Sequence, residues 1–297
     1  MLTLFTTAKA FRGHIGVIQR NALGSWKRLH PDAEIILFGD EEGTAEACGE
    51  LGLRHEPHVE RTATGQKCLP VVTYLFSRAQ AIARNDFLCY ANCDIVLMSD
   101  FWKAFERVRR RAKPFLMIGK RWDTEVTENL TLGSSGWEEQ LRAQALARGA
   151  QRQYEIDYFL FSRGLFGEIP PLVIGRTYWD HWLVWKARSL GAAVVDASFA
   201  VTAVHQNHDY SEHPQGREGL WKSEESRHNV ELAGNGKHLC EFEDSTHLLT
   251  RSGLLLWTPL RKQAHKAQRL LFHVFVHKTL RARKRLGLQR ESFRKSW

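Results

Sequence analysis

The sequence predicts an α/β fold with a mixed, mainly parallel sheet and helices on both faces. Three observations predict it. Short apolar runs alternate with stretches of helical period from the first residues onward. Those runs are apolar almost continuously, as strands buried on both faces are, rather than alternating with polar residues. No apolar run reaches the roughly 18–20 residues that a membrane-crossing helix needs. A composition of 43% apolar and 25% charged residues is ordinary for a globular chain.

Leu2–Thr7 reads as a first buried strand. Ile15, Ile18, Ala22, Trp26 and Leu29 recur at three- and four-residue steps and predict a helix ended by Pro31. Ile35–Phe38 is a second strand, closed by Gly39-Asp40. Thr44–Leu51 is a short helix with Gly52 as its stop, and residues 53–59 form a third strand. After the polar loop Thr62–Lys67 come a helix over Leu69–Ala83 and the most strand-like run of the chain, Phe87–Leu97. A helix over Asp100–Ala112 and a strand at Phe115–Ile118 follow. Beyond them the pattern predicts helices at Ser135–Arg148 and Trp179–Leu190. It predicts strands at Tyr158–Phe161, Ala192–Val195 and Phe199–Val204. No internal repeat or linker divides the body, so one catalytic-type domain over residues 1–250 is expected, with a tail over 251–297.

The formal net charge of +9 is unevenly placed. From Pro259 to Trp297 twelve Lys and Arg face one acid, Glu291, while the first 258 residues hold 30 Lys and Arg against 32 Asp and Glu. The body is near neutral, which argues against a nucleic-acid-binding fold. The tail has helical period over Leu260–Arg285, with Leu260, Ala264, Ala267, Leu271, Val274 and Phe275 on one face. Lys262, Lys266, Arg269 and His273 fall on another. A basic amphipathic helix of this kind either docks on its own domain or lies on an anionic membrane surface. The five cysteines show no Cys-x-x-Cys spacing, and Lys9 and Arg12 follow the N-terminal apolar run instead of preceding it. A reducing, cytoplasmic setting is expected, with the tail at the inner face of a membrane.

Three constellations carry chemistry. Asn92-Cys93-Asp94 interrupts the apolar run Phe87–Leu97. If that run is one strand, Asn92 and Asp94 share a face and offer oxygen to a hard cation such as Mg²⁺ or Mn²⁺. A hydrogen bond to a loop or a helix cap is the plainer alternative for Asp94. His205-Gln206-Asn207-His208-Asp209 follows a predicted strand, at the kind of strand end where open α/β sheets bind ligands. Either histidine completes a metal shell or simply closes a turn. Gly175–Asp180 opens the Trp-rich helix, so Asp180 is either a helix cap or a general base. Asp157, entering the strand at Tyr158, is the other candidate base. Trp179, Trp182 and Trp185 either pack in the core or stack on a sugar ring.

The order strand, helix, strand ending in Gly39-Asp40, helix, polar loop, helix and Tyr90–Leu97 resembles the donor half of GT-A-type glycosyltransferases, the nucleotide-diphospho-sugar transferase superfamily. In that superfamily an apolar–Asp-x-Asp–apolar strand holds the metal that bridges the donor phosphates. Asn92-Cys93-Asp94 resembles it with Asn in the first place, which removes one negative charge. The resemblance implies a three-layer GT-A-like, Rossmann-like fold and transfer of a sugar from a nucleotide-diphosphate sugar by metal-assisted displacement. It implies Mn²⁺ or Mg²⁺ on Asp94 with Asn92, His205 and His208, and Asp180 or Asp157 as base. It further implies nucleotide contacts from Thr6, Thr7, Lys9 and Asn92, with Lys67 a second phosphate contact. The acceptor would be a glycan or lipid-linked sugar of cell-envelope polysaccharide synthesis. A sugar-nucleotide nucleotidyltransferase is the competing enzyme, though Ala8–Gly13 is a poor version of its Gly-rich basic loop. A non-catalytic sugar- or nucleic-acid-binding protein is the other alternative.

Overall fold

A computed structural model describes residues 1–62, 68–208, 221–260 and 263. Met1–Leu255 form one compact unit. The predicted tail helix lies almost wholly outside the described residues, as does Lys67.

The chain runs through β1 (Leu2–Thr7), α1 (Gly13–Lys27), β2 (Glu34–Phe38), α2 (Thr44–Leu51), β3 (Arg54–Glu56) and α3 (Val72–Ile82). It continues through β4 (Phe87–Ala91), β5 (Ile95–Val96), α4 (Ser99–Arg109), β6 (Phe115–Ile118), β7 (Lys120–Thr124) and α5 (Trp137–Arg148). Then come β8 (Ala150–Ile156), β9 (Tyr158–Ser162), α6 (Trp179–Ser189), β10 (Ala193–Asp196) and β11 (Ala203–Gln206). The last elements are α7 (Glu224–Leu232), β12 (His247–Thr250) and β13 (Gly253–Leu256). The main sheet has nine strands in the order β13-β12-β10-β6-β9-β4-β1-β2-β3. β9 is antiparallel to both β4 and β6, whereas β1 pairs in parallel with β2 and β4. A second sheet runs β5-β11-β7-β8.

Two apolar layers make the sheet's faces. Leu2 and Leu4 of β1 and Cys89 of β4 pack with Ala22 and Trp26 of α1 and with Phe101 and Phe105 of α4. The alternate residues Phe5, Leu88 and Tyr90 pack with Leu75 and Phe76 of α3 and Trp182 of α6. This period-two division between two apolar faces is why the strands read as continuous apolar runs. The fold is therefore the expected three-layer α/β arrangement. β2 and β3 lie on one side of β1 and β4 on the other. The chain thus reverses direction at β1, and the carboxyl ends of β1 and β4 border the crevice that such a switch opens.

Three sequence expectations need correction. Phe87–Leu97 is not one strand. β4 ends at Ala91, Ile95 N–H donates to Asn92 O at 3.0 Å, and the chain turns into β5 of the second sheet. Asn92 and Asp94 therefore lie in a turn instead of on one strand face. Ala91 and Ile95, which flank the turn, are fully buried, so the apolar run carries no sign of the break. Second, the strand expected at Phe199–Val204 begins only at Ala203. Asp196 Oδ1 accepts from Ser198 N–H at 2.9 Å, which folds the backbone into a turn and leaves Phe199 exposed. His205 and Gln206 consequently sit inside β11. Third, β7 and β8 were not expected, because Lys120–Thr124 and Ala150–Ile156 are rich in charged and amide side chains.

Trp26 links the helical layer to the crevice. Its ring is fully buried and its Nε1 donates to Ile95 O at 2.8 Å, just beyond the Asn92–Asp94 turn. Trp26→Phe keeps most of the apolar contact and removes this buried hydrogen bond. Chemical denaturation should show a loss of about 1–3 kcal/mol. A loss of under half a kilocalorie would show that the bond does not hold the turn.

Candidate metal centre and crevice

Asp94 closes the turn after β4. Gln206 of β11 fixes its backbone: Gln206 N–H and Nε2 donate to Asp94 O at 3.3 and 3.1 Å. Gln206 is itself pinned to α1, accepting from Asn21 Nδ2 at 2.9 Å and donating to Ile18 O at 2.8 Å. With its main chain held, the Asp94 carboxylate meets two imidazoles. His208 Nε2 lies 3.2 Å from Asp94 Oδ2, and His205 Nε2 lies 3.6 Å from the same oxygen. One ligand atom from each of Asp94, His205 and His208 falls within 4.8 Å of the others. Asp94 Oδ1 is buried without a hydrogen-bond partner among the described residues.

Behind these three lies a buried polar chain. His205 Nδ1 is 3.2 Å from Asp123 Oδ1. Arg121 Nε donates to Asp123 Oδ1 at 2.8 Å, and Arg152 Nε donates to Asp123 Oδ2. Arg121 Nη1 donates to both oxygens of Asp157 at 2.9 Å. Asn92 Nδ2 donates to Asp157 Oδ1 at 2.7 Å, and Asn92 N–H donates to Asp157 O at 2.9 Å. The chain so returns to the turn that carries Asp94.

The electrostatics follow from this packing. Burial opposes ionisation of Asp94, but the charges and hydrogen bonds of His205 and His208 outweigh it and hold the carboxyl well below the usual range. Burial disfavours the His205 imidazolium, yet Asp94 and Asp123 raise its pKa to about 9. Asp123 is likewise opposed by burial and is held low by His205, Arg121 and Arg152.

The other predicted residues take distinct places. Asn92 is tied through its amide to Asp157. Thr6 is fully buried and its hydroxyl donates to Thr7 O at 3.1 Å. Thr7 Oγ1, at the carboxyl end of β1, is buried without a hydrogen-bond partner among the described residues. Lys9 is fixed through its main chain to Gln19, at 2.7 and 2.9 Å. Asp157 is fully engaged by Arg121 and Asn92. Asp180 stands in the first turn of α6, after Tyr178 with its left-handed φ of 75°. One Asp180 oxygen accepts from His181 N–H at 2.9 Å, and the other lies 3.8 Å from His181 Nε2. Burial raises the Asp180 pKa, with nearby His181 opposing and Asp157 adding to the rise. Trp179 and Trp182 are core residues, Trp179 against Tyr90 and Phe159, while Trp185 stacks on His238 at 4.0 Å.

Sequence reasoning missed Arg121, Asp123 and Arg152. One signal was present: Arg121 and Asp123 are spaced two apart, so a strand there places both charges on one face.

The donor set tests which ion fits. One carboxylate and two imidazoles suit a first-row transition ion, and Mn²⁺ accepts them more readily than Mg²⁺, which favours oxygen ligands and retains its waters. Because His205 holds a proton below about pH 9 when no ion is bound, an incoming ion must displace it. Calorimetry in two buffers of different ionisation heat at pH 7 should report about one proton released per Mn²⁺, with affinity rising as pH rises. Binding without proton release would show that His205 is not a ligand.

No family model matches the sequence, and no curated protein matches it. Solved structures do resemble its chain path. S. aureus TarS in complex with UDP-GlcNAc is 10% identical with a TM-score of 0.48, over 70% of this chain and 59% of that one. Glucosyl-3-phosphoglycerate synthase from Mycobacterium tuberculosis, in complex with Mn²⁺, uridine diphosphate and glucosyl-3-phosphoglycerate, is 13% identical with a TM-score of 0.45, over 82% of each chain. Mannosyltransferase PcManGT from Pyrobaculum calidifontis, in complex with GDP-Man and Mn²⁺, is 11% identical with a TM-score of 0.42, over 69% of this chain and 56% of that one. The match spans about 59% of the TarS 1–349 chain.

Proposed function

We propose that the protein is a metal-assisted glycosyltransferase of the GT-A type, moving a sugar from a nucleoside-diphosphate sugar to an acceptor hydroxyl. The observation that carries this reading is the Asp94–His205–His208 cluster beside the carboxyl ends of β1 and β4, with Asp94 Oδ1 buried and unpartnered. Asp94, His205 and His208 would hold a divalent ion, which would supply positive charge to the diphosphate leaving group. Asn92, its amide nitrogen committed to Asp157, contributes its carbonyl oxygen to the same rim. Thr7, with its unpartnered hydroxyl, and the Thr6 and Lys9 segment form the nucleotide side of the crevice. Lys67, in the loop outside the described residues, is the further phosphate contact.

Asp180 is the base that takes the acceptor proton. Its buried position raises its pKa towards the range in which a carboxylate abstracts a proton effectively. His181 accompanies it, with Nδ1 set 3.1 Å from Cys240 O and Nε2 towards the Asp180 carboxylate. Asp157, already bound on both oxygens, is the weaker candidate. Attack by the acceptor oxygen on the sugar's anomeric carbon then breaks the bond to the diphosphate.

A panel of sugar nucleotides with Mn²⁺ should include one that releases nucleoside diphosphate when an acceptor is present. Pyrophosphate released instead from a nucleoside triphosphate and a sugar 1-phosphate would establish the nucleotidyltransferase alternative. Asp180→Asn should lower kcat by about 10²–10⁴-fold with donor affinity kept. The acid limb of the wild-type pH profile should lie above the range of an exposed aspartate and vanish in that variant. Full turnover in Asp180→Asn would return the base assignment to Asp157.

The tail supports a place for the reaction. Its twelve basic residues against one acid, and the exposed Leu260 at its start, favour attachment to an anionic membrane face, where a lipid-linked acceptor would be met. Among the described residues no helix is long and apolar enough to cross a membrane. Full-length protein should sediment with anionic vesicles and a chain ending at Thr258, which keeps β13, should not. Equal sedimentation of both would remove the tail from the account.

A further inference from the structure

We propose that Asp123 is a positioning residue for the cation site, orienting the His205 ring, and that Arg121 and Asp157 hold Asp123 in register with the Asn92–Asp94 turn. The proposal rests on the reading of Asp94, His205 and His208 as ligands. A neutral imidazole that ligates through Nε2 must carry its proton on Nδ1, and that proton needs an acceptor. Asp123 Oδ1 is 3.2 Å from His205 Nδ1, while His205 Nε2 is turned to Asp94.

The geometry is over-determined in a way that packing alone does not require. Arg121 bonds to Asp123 through Nε and to both oxygens of Asp157 through Nη1. Asp157 in turn receives the side chain of Asn92, two residues from the ligand Asp94. Arg152 takes the second Asp123 oxygen. The side chains of Arg121, Asp123, Asp157 and His205 are all less than a tenth exposed. His205 Nδ1 itself makes no hydrogen bond among the described residues and meets Asp123 Oδ1 as a charge contact at 3.2 Å. Asp123, held on both oxygens by Arg121 and Arg152, fixes the side on which the His205 Nδ1 edge lies and so which way Nε2 points.

Asp100 provides the comparison. It pairs with Arg142 at 3.1 Å and accepts from Thr202 N–H at 3.0 Å, a half-buried carboxylate on α4. Mn²⁺ affinity of the full chain should be read by the electron paramagnetic signal of free Mn²⁺ for wild type, Asp123→Asn and Asp100→Asn. Asp123→Asn should weaken Mn²⁺ binding by about 10–100-fold, the usual effect of removing a carboxylate behind a ligating histidine. Asp100→Asn should leave it within about twofold, even where it lowers thermal stability. Weakening by the same factor in both variants, or none in Asp123→Asn, would overturn the positioning role. Wild type that binds no Mn²⁺ would overturn the ligand assignment itself. Should Asp123→Asn fail to fold, ¹⁵N spectra of the wild-type His205 ring with diamagnetic Zn²⁺ decide the matter. A proton on Nδ1 with the ion on Nε2 is expected, and ligation through Nδ1 would overturn the proposal.

Discussion

Arg121 occupies the point on which the site depends. Its guanidinium lies between two carboxylates, Asp123 on its own strand and Asp157 between β8 and β9. Charges this deeply buried are tolerated only when fully paired, and removing one partner from such a group costs about 3–5 kcal/mol. The pairing therefore restricts where β7, the start of β9 and the turn after β4 can sit. Beside that restriction, the pairing of β5 with β11 sets Ile95 opposite His205 and so holds Asp94 next to it.

The same constraint explains how the two sheets share the chain. β4 carries the backbone to Ala91 at the centre of the main sheet, and two residues of β5 then pair with β11. The intervening turn is fastened by Gln206 to Asp94 O, by Trp26 to Ile95 O and by Asn92 to Asp157. Each fastening comes from a different element: β11, α1 and the segment before β9. A turn held from three directions presents its carboxylate without needing to order it when a ligand arrives, the preorganisation on which electrostatic catalysis depends.

Much of the fold was legible because burial on both sheet faces writes itself as apolar runs. β1 and α2 match their expected bounds, and the αL glycine Gly52 ends α2 as expected. What was illegible shares one cause. Apolar pattern reports burial, not direction, so the buried turn at Asn92–Asp94 looked like more strand. Conversely, β7 is a strand because Arg121 and Asp123 satisfy partners far along the chain, which made it look like a polar loop. Asp94, His205, His208 and Asp180 were singled out from local motifs, and the fold brings the first three together. The pairing of Asp157 with Arg121, 36 positions apart, has no local signal, and it engages both Asp157 oxygens within the fold.

On the proposed function, the near-neutral body leaves phosphate charge to a cation held by Asp94, His205 and His208, while the basic excess lies in residues 259–297. A crystal of the full chain soaked with Mn²⁺ and a nucleoside diphosphate, measured at the manganese edge, tests the central claim most directly. The account predicts one anomalous peak within coordination distance of Asp94, His205 and His208, with the diphosphate on its open side. A peak at any other residues, or a diphosphate bound away from the ends of β1 and β4, would contradict it.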